Sequence, residues 1–456
     1  MLFAGTYAYL ATVANGGSVT SSSGHDICFF SDSGLTTALD WELVEYDPTT
    51  GKLEAHIRVG TLSASTDTVF YLGFGDSGIT TFQGDVAGTW NSGFALVAHL
   101  PNGTTLSAND STSNANHGTV TNAVAATGKV GGGASFDGSG DSISFGSGAS
   151  LDTLTTQTIE MWVKRGTVAS SSDQHIASKE FDDGSGFGGW WFYIRRDSDG
   201  THGGKMKFGR AWSTSTYQSA IWRASTKLNS TTPWYHCVVT YDAGSTSNNP
   251  TFYLNGVAET TTNEQPVGGT LLSDNPYSVK MGEGSYGEND YNGTQDEFRV
   301  SSVIRSADWV LATYNSHNDP STFYAITGGS TAYTLTASSG SFAETGTAAT
   351  LAVGRRLTAS SGTFALTGTA ANLEFGRSLA AASGAFAFTG TAANLEYGRT
   401  LGAGSGGYTL TGTAANLEFG RVVAAASGTY TLTGTAANLE FGREVAAASG
   451  AFALTG

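Results

Sequence analysis

The sequence predicts an all-β protein, and three observations carry that reading. Short runs of Val, Ile, Thr, Tyr and Phe are broken every several residues by the turn formers Gly, Asn, Asp and Ser. Gly is abundant, 62 of 456 residues, while Pro occurs only seven times, which excludes collagen-like and proline-rich linker chains. No long stretch keeps the apolar spacing of a helix. A chain of this length has room for two or three domains, each with its own core.

Residues 1–86 form a first block, predicted to be a β-sandwich module. Asp26–Asp32 is an apolar run closed by a turn, and Leu53–Val59 alternates as a half-buried strand does. Asp47-Pro48-Thr49-Thr50-Gly51 carries turn chemistry, and Val69–Phe74 is a further strand. Ala14–Gly17, Gly24–Ile27, Glu45–Lys52 and Leu62–Thr68, in that order, resemble an uncharacterised family of β-modules. Such modules occur in phage and bacterial surface proteins, usually before a laminin-G-like domain. The family normally has another strand upstream, so the resemblance implies that Met1 falls inside the fold.

Residues 87–318 form a second block. Its landmarks are Asp110–Gly118, Gly131–Gly138, Ile159–Lys164, Trp234–Asp242, Phe252–Gly256 and Asp296–Val300. Ile159, Met161 and Val163 make one side of their strand apolar, and Asn255-Gly256 is a type I′ hairpin signal. Antiparallel strands of this kind pack as two facing sheets. Together, over some 200 residues, these landmarks resemble a laminin-G-like (concanavalin-A-like) jelly roll.

Residues 319–334 read as a linker, and residues 335–456 as repetitive β-structure. Gly354-Arg355, Gly376-Arg377, Gly398-Arg399, Gly420-Arg421 and Gly442-Arg443 recur every 22 residues. Each unit pairs apolar side chains at spacing two, such as Phe364 with Leu366 and Leu373 with Phe375. One unit cannot bury that face alone, so units must stack, as a β-solenoid or as stacked hairpins. In a solenoid Asn372, Asn394, Asn416 and Asn438 would form a ladder. The first unit departs from the pattern at Glu344 and Thr350, as a terminal repeat does. Such repeats resemble those of phage structural proteins.

Net charge is −16, and residues 331–456 hold six acidic and six basic side chains, so the excess lies upstream. An acidic chain is unsuited to charge-driven binding of nucleic acid or anionic membrane. No run of about 18 apolar residues is present, and the start lacks a signal peptide's basic and apolar regions. Cys28 and Cys237, far apart in apolar runs, read as buried free thiols.

Catalytic residues are not predicted. Glycosidases need two carboxylates about 5–9 Å apart. The Glu-x-Asp-x-x-Glu spacing is absent, and in simple alternation Asp296 and Glu297 point to opposite faces. The laminin-G-like resemblance implies a structural Ca²⁺ joining the entry loop to the last strand, here Asp110 and Asp296 with Asn114 beside them. Read from its residues alone, the same loop is a set of Asx-turns. In strand alternation Trp190 and Phe192 share one face, Trp191 and Tyr193 the other. Trp191, Tyr193, Trp212 and Trp222 are therefore the candidate sugar-stacking residues, against a plainer reading that places all of them in the core. The eight histidines are scattered along the chain, and His236 reads as packing.

These features predict a non-enzymatic structural or adhesive protein of a phage particle, such as a tail fibre, a tail-associated protein or a capsid fibre or decoration. Its partners would be copies of itself or other virion proteins through the repeats, and a host-surface glycan through the jelly roll. It would lie at the virion surface, without nucleic acid or membrane insertion. The alternatives are a carbohydrate-binding bacterial adhesin at the cell surface and a glycan-degrading enzyme.

Overall fold

The computed structural model describes residues 1–456 except 64, 92, 102–104, 183–186, 214–218, 285–288, 327–333, 338–340, 354–355, 360–362, 376–377, 382–384, 398–399, 404, 413, 420–421, 426–428, 435, 442–443, 448–450 and 456. Contacts divide the chain into two units, Met1–Ala325 and Ile326–Gly456.

Alternation of side chains builds the centre of the first unit. Ile159, Met161 and Val163 on strand Thr156–Arg165 face Cys237, Val239 and Tyr241 of Tyr235–Asp242 and Phe298 and Val300 of Asn292–Ser301 within one apolar core. The three strands are hydrogen-bonded neighbours in an eight-stranded antiparallel sheet. A second eight-stranded sheet lies opposite, with Phe187–Ile194, Lys205–Ala211 and Ser219–Lys227 side by side. Trp190, Phe192, Met206, Phe208 and Trp222 fill the space between the sheets. The Asn255-Gly256 turn has the positive φ values, 52° and 78°, that type I′ requires.

The N-terminal region contributes a three-stranded antiparallel sheet in the order Leu2–Thr6, Lys52–Ile57, Trp41–Asp47, and a two-stranded one of Cys28–Phe30 with Tyr71–Gly73. Leu53, Ala55 and Ile57 join Phe3, Phe29 and Trp41 in its core. The expectation of a half-buried strand fails here. Glu54 and His56, on the opposite face, are also buried, so both faces are covered.

Three helices complete the unit: α1 (Val86–Thr89), α2 (Ala307–Asn318) and α3 (Pro320–Phe323). Ser306 caps α2 by accepting from the Trp309 N–H, and Asp308 lies in its first turn. Val310 packs on Val238 and Tyr253, the outward face of the sheet. Residues 319–324 are not linker. After α3, the Tyr324 ring stacks on Phe3 at 5.0 Å, and its hydroxyl accepts from Ala4 N–H and donates to Ala4 carbonyl. The tail of the jelly roll is thereby tied to an edge strand of the N-terminal sheet.

The second unit holds a six-stranded and an eight-stranded sheet, both parallel. Each strand pairs with the one 22 residues further on: Leu335 with Leu357, Leu357 with Leu379, and so on to Val423 with Val445. Glu344 aligns with Leu366, Thr350 with Asn372, and Asn372 with Asn394. The Gly-Arg pairs from Gly354-Arg355 to Gly442-Arg443 lie outside the described residues. No helix among the described residues is long and apolar enough to cross a membrane.

Candidate functional site

The sequence-predicted aromatic residues separate into two groups. Trp191 and Tyr193 sit on the face of their sheet turned away from the core, as alternation requires, but both rings are buried there (7% and 5% exposed), so neither is the open stacking platform expected. The Trp191 indole lies flat over Gly209 on the next strand, where an added Cβ would stand 2.0 Å from its ring. The Tyr193 ring is 5.2 Å from that of His175. Beside them Glu264 joins Lys207 (2.5 Å) and Arg223 (2.6 Å). This face combines aromatic and charged groups. Trp212 and Trp222 are corrections to the predicted platform. Both belong to the apolar core; the Trp222 ring lies 5.0 Å from Tyr241, and its N–H is given to Asn249 (2.8 Å).

The Asp110 loop does not fit a Ca²⁺ centre. The Asp110 carboxylate accepts from Val97 N–H, Thr112 N–H, the Thr112 hydroxyl and Asn116 N–H. Asn114 turns its amide nitrogen toward the Phe94 and Ala95 carbonyls. The Asp110 carboxylate closes the loop on itself through all four of these bonds, and Asn114 spends its amide nitrogen on those two carbonyls. Asp296 is engaged elsewhere: one oxygen accepts from Lys129 and Val130 N–H, pinning the turn at 128–131. Burial and the adjacent Glu297 charge raise its carboxyl well above the ordinary range.

A different site emerges on the outward face of the Thr156–Arg165, Tyr235–Asp242 and Asn292–Ser301 strands. The pairing register slips between Glu160 and Trp162, and Glu297 takes a φ of 53° at that slip. The extra residue is a β-bulge. Gln295 donates to the Ile176 carbonyl in the opposite sheet and Phe298 lies in the core, which leaves Asp296 and Glu297 together on the outward face. Simple alternation had assigned them to opposite faces.

Around Glu297 four of the supposedly scattered histidines converge. His99 places Nδ1 2.7 Å from Glu297 Oε1 and Nε2 3.2 Å from Glu42 Oε2. Burial opposes its charge, but the two carboxylates win and raise it to about 10, so it is an imidazolium. His56 stacks on His99 (4.5 Å, 21°) with Nε2 3.4 Å from Glu297; burial lowers it to about 3. His317 accepts the Trp162 indole N–H on Nδ1 (3.2 Å), and its Nε2 sits 3.3 Å from the Arg299 guanidinium. Burial and Arg299 hold it well below the ordinary imidazole range. His236 lies 3.0 Å from Glu160. Glu42 also accepts from Trp90 (2.5 Å) and Ser111 (2.6 Å), and Arg299 pairs with Glu297 and lies 5.0 Å from the Trp90 ring.

His56, Glu297 and His317 present donor atoms within 4.8 Å of one another, a spacing that suits a metal ion. Here Arg299 is the cation among them, bound to Glu297 and against His317, so the cluster is complete as an ion network. The residues come from strands of the N-terminal sheet, from the jelly roll and from α2. The plate is therefore the contact between those parts.

A second buried network lies inside the sandwich. Asp274 accepts from Lys179 (2.8 Å), Arg210 (2.9 Å) and Thr153 N–H (2.6 Å), and Lys179 also reaches Asp152 (2.5 Å). Both cysteines are free and buried, and burial pushes Cys28 up to about 11.

Residues 137–311 match the family model described as the concanavalin A-like lectin/glucanases superfamily. No curated protein matches the chain in sequence. Among solved structures, it is similar to the binding domain of Paraclostridial mosquitocidal protein 1, at 15% identity over 49% of this chain and 52% of that one (TM-score 0.39). The binding domain of botulinum neurotoxin serotype G aligns at 15% identity, 48% and 50% coverage and TM-score 0.36. Domain 4 of AbnA, a GH43 extracellular arabinanase from Geobacillus stearothermophilus, in complex with arabinotriose, aligns at 19% identity, 48% and 96% coverage and TM-score 0.32. The chain spans about half the length of the two toxin binding domains. Residues 137–311 are a concanavalin A-like jelly-roll domain.

Proposed function

We propose that the chain is a non-enzymatic display protein of a virus particle, with a glycan-binding jelly roll carried by a stalk of stacked repeats. The observation that carries this reading is the parallel register of the second unit, in which every strand meets its counterpart 22 residues on. Strands in such a stack advance about 4.8 Å per repeat, and the parallel sense favours a coil over hairpins, whose strands run antiparallel. A rod of this kind has no catalytic task and suits a spacer that joins copies of itself or other virion proteins. On the jelly roll, the candidate glycan face is the outward one over Trp191 and Tyr193; both rings are buried, so a sugar would first meet the half-buried Arg223 and Glu264 beside them. The acids of the outward plate support a non-enzymatic reading, because Glu42, Glu160 and Glu297 are each buried against a histidine or arginine.

The test is direct imaging of the full purified chain, together with a glycan array and a Trp191→Ala variant. A rod with folded heads and a glycan signal lost in the variant is the expected result. Heads without a rod would refute the stalk, and silence across the array would refute glycan binding. Detecting the chain by mass spectrometry in purified virions would separate the phage reading from a bacterial surface adhesin.

A further inference from the structure

We propose that the histidine plate is an acid-released latch, holding the N-terminal sheet and α2 against the outward face of the jelly roll and letting go as imidazoles gain protons. The reasoning starts from which groups meet there. The N-terminal sheet supplies Glu42, Glu54 and His56, with the Met1 amine donating to the Ile57 carbonyl nearby. The jelly roll supplies His99, Glu160, His236, Asp296, Glu297 and Arg299, with Arg305 beyond them, and α2 supplies His317. Lys52 pairs with Glu54 at the margin (3.1 Å).

At neutral pH the centre is balanced. The His99 imidazolium and the Arg299 guanidinium face the Glu42 and Glu297 carboxylates, and His56 and His317 are neutral. A proton added to His56 creates a cation stacked on His99. A proton added to His317 creates one against Arg299, and its second N–H then points at a donor whichever nitrogen receives it. Each addition places like charges in contact inside a site from which water is excluded, where an unpaired charge is most costly. Separation returns both rings to water and relieves the repulsion.

The direction of the pH effect follows. His56 and His317 have closed-state values below the ordinary imidazole value near 6.5, so the opened state binds more protons. The His56 and His317 contribution is complete above that ordinary value and is lost as pH falls toward the closed-state value, about 3 for His56. The Met1 amine, lowered to about 5 by burial and the nearby Arg299, acts in the same direction. His99, raised to about 10, acts in the opposite sense: its contribution is complete below about 6.5 and declines above it, so the acid-side loss comes from the other groups. The side chains that meet between the two sheets, such as Met161, Phe192 and Val239, are apolar and do not titrate, so they give the sandwich no reason to open with the latch.

Hydrogen exchange read by mass spectrometry on the full chain tests this, at about pH 7.5 and about pH 5, with rates corrected for intrinsic exchange. The expected result is a protection loss of at least about tenfold in Leu2–Thr6, Lys52–Ile57 and α2, while Tyr235–Asp242 keeps its protection. Unchanged protection of the three segments, or their loss together with Tyr235–Asp242, would overturn the proposal. A His56→Gln variant should move the opening midpoint to lower pH, and an unmoved midpoint would also overturn it. Should that variant fail to fold, the wild-type comparison decides alone.

Discussion

Two buried charge networks, about equally enclosed, differ in what they are made of. Inside the sandwich, Lys179, Arg210 and Asp274 are fully buried and paired with one another, and Asp152 closes the group at the rim. On the outward face, the network is built from histidines between Glu42, Glu297 and Arg299. The first network joins strands of one sandwich; the second joins separate parts of the chain. Composition therefore sorts with task. The inner group is built from Lys, Arg and Asp, whereas the contact between parts is built around histidine, the side chain whose ordinary value lies nearest neutrality.

Breaking the inner network should have the largest effect. Asp274→Ala leaves Lys179 and Arg210 buried with their shared carboxylate gone, and burial already lowers the Arg210 value. A loss of about 3–5 kcal/mol is expected from urea unfolding, nearly constant between about pH 5 and pH 8. A strongly pH-dependent loss would mean that the two networks are not separate.

Next comes Glu297→Gln, which removes the carboxylate common to His99, His56 and Arg299. His99 has a folded value of about 10 against an ordinary one near 6.5. Its stabilising contribution is complete below about 6.5 and is lost as pH rises through about 10. The wild type should therefore lose thermal stability between about pH 7 and pH 10. In the variant, less stable at neutral pH, that alkaline slope should be markedly shallower. Equal slopes would remove His99 from the account.

The same contrast explains what the sequence made legible. The inner faces could be read, because period-two alternation puts Ile159, Met161 and Val163 on one side whatever they pack against. The separation of Trp190 and Phe192 from Trp191 and Tyr193 followed from the same rule. The plate could not be read. Its members are as distant in sequence as His56 and His317, and its pivot is a bulge at Glu297 that shifts the alternation by one residue. Nothing in Gln295-Asp296-Glu297-Phe298 announces an inserted residue. The strand Leu53–Ile57 carried one signal, Glu54 and His56 on its supposed solvent face, but a charged residue there reads equally well as exposed. For α2 the signal was present: Ser306 as a cap and Asp308 in the first turn.

A smaller effect should come from the hairpin at Asn255, which touches the plate only through the backbone of His236. Asn255 accepts the His236 N–H (2.9 Å) and holds a φ of 52°. Asn255→Ala should cost about 1 kcal/mol. It should leave the acid response of the plate intact, since His236 keeps Glu160 as its side-chain partner. A change in the pH profile would show that the hairpin tunes the plate.

The smallest expected effect is that of calcium. The laminin-G resemblance implied a site at Asp110 and Asp296, yet four donors fill the Asp110 carboxylate, and burial beside Glu297 raises the Asp296 carboxyl and opposes its charge. A hard cation needs six to eight oxygens with charge among them. Binding here would have to break the loop's own hydrogen bonds and ionise a buried acid next to a carboxylate. Melting the full chain with excess Ca²⁺ and with chelator should give the same midpoint. A rise with Ca²⁺ that Asp110→Asn abolishes would mean that the loop rearranges around the ion and that its self-closed form is only the metal-free state. It would also add to the comparison a third charged site, one held by an ion rather than by the chain's own cations.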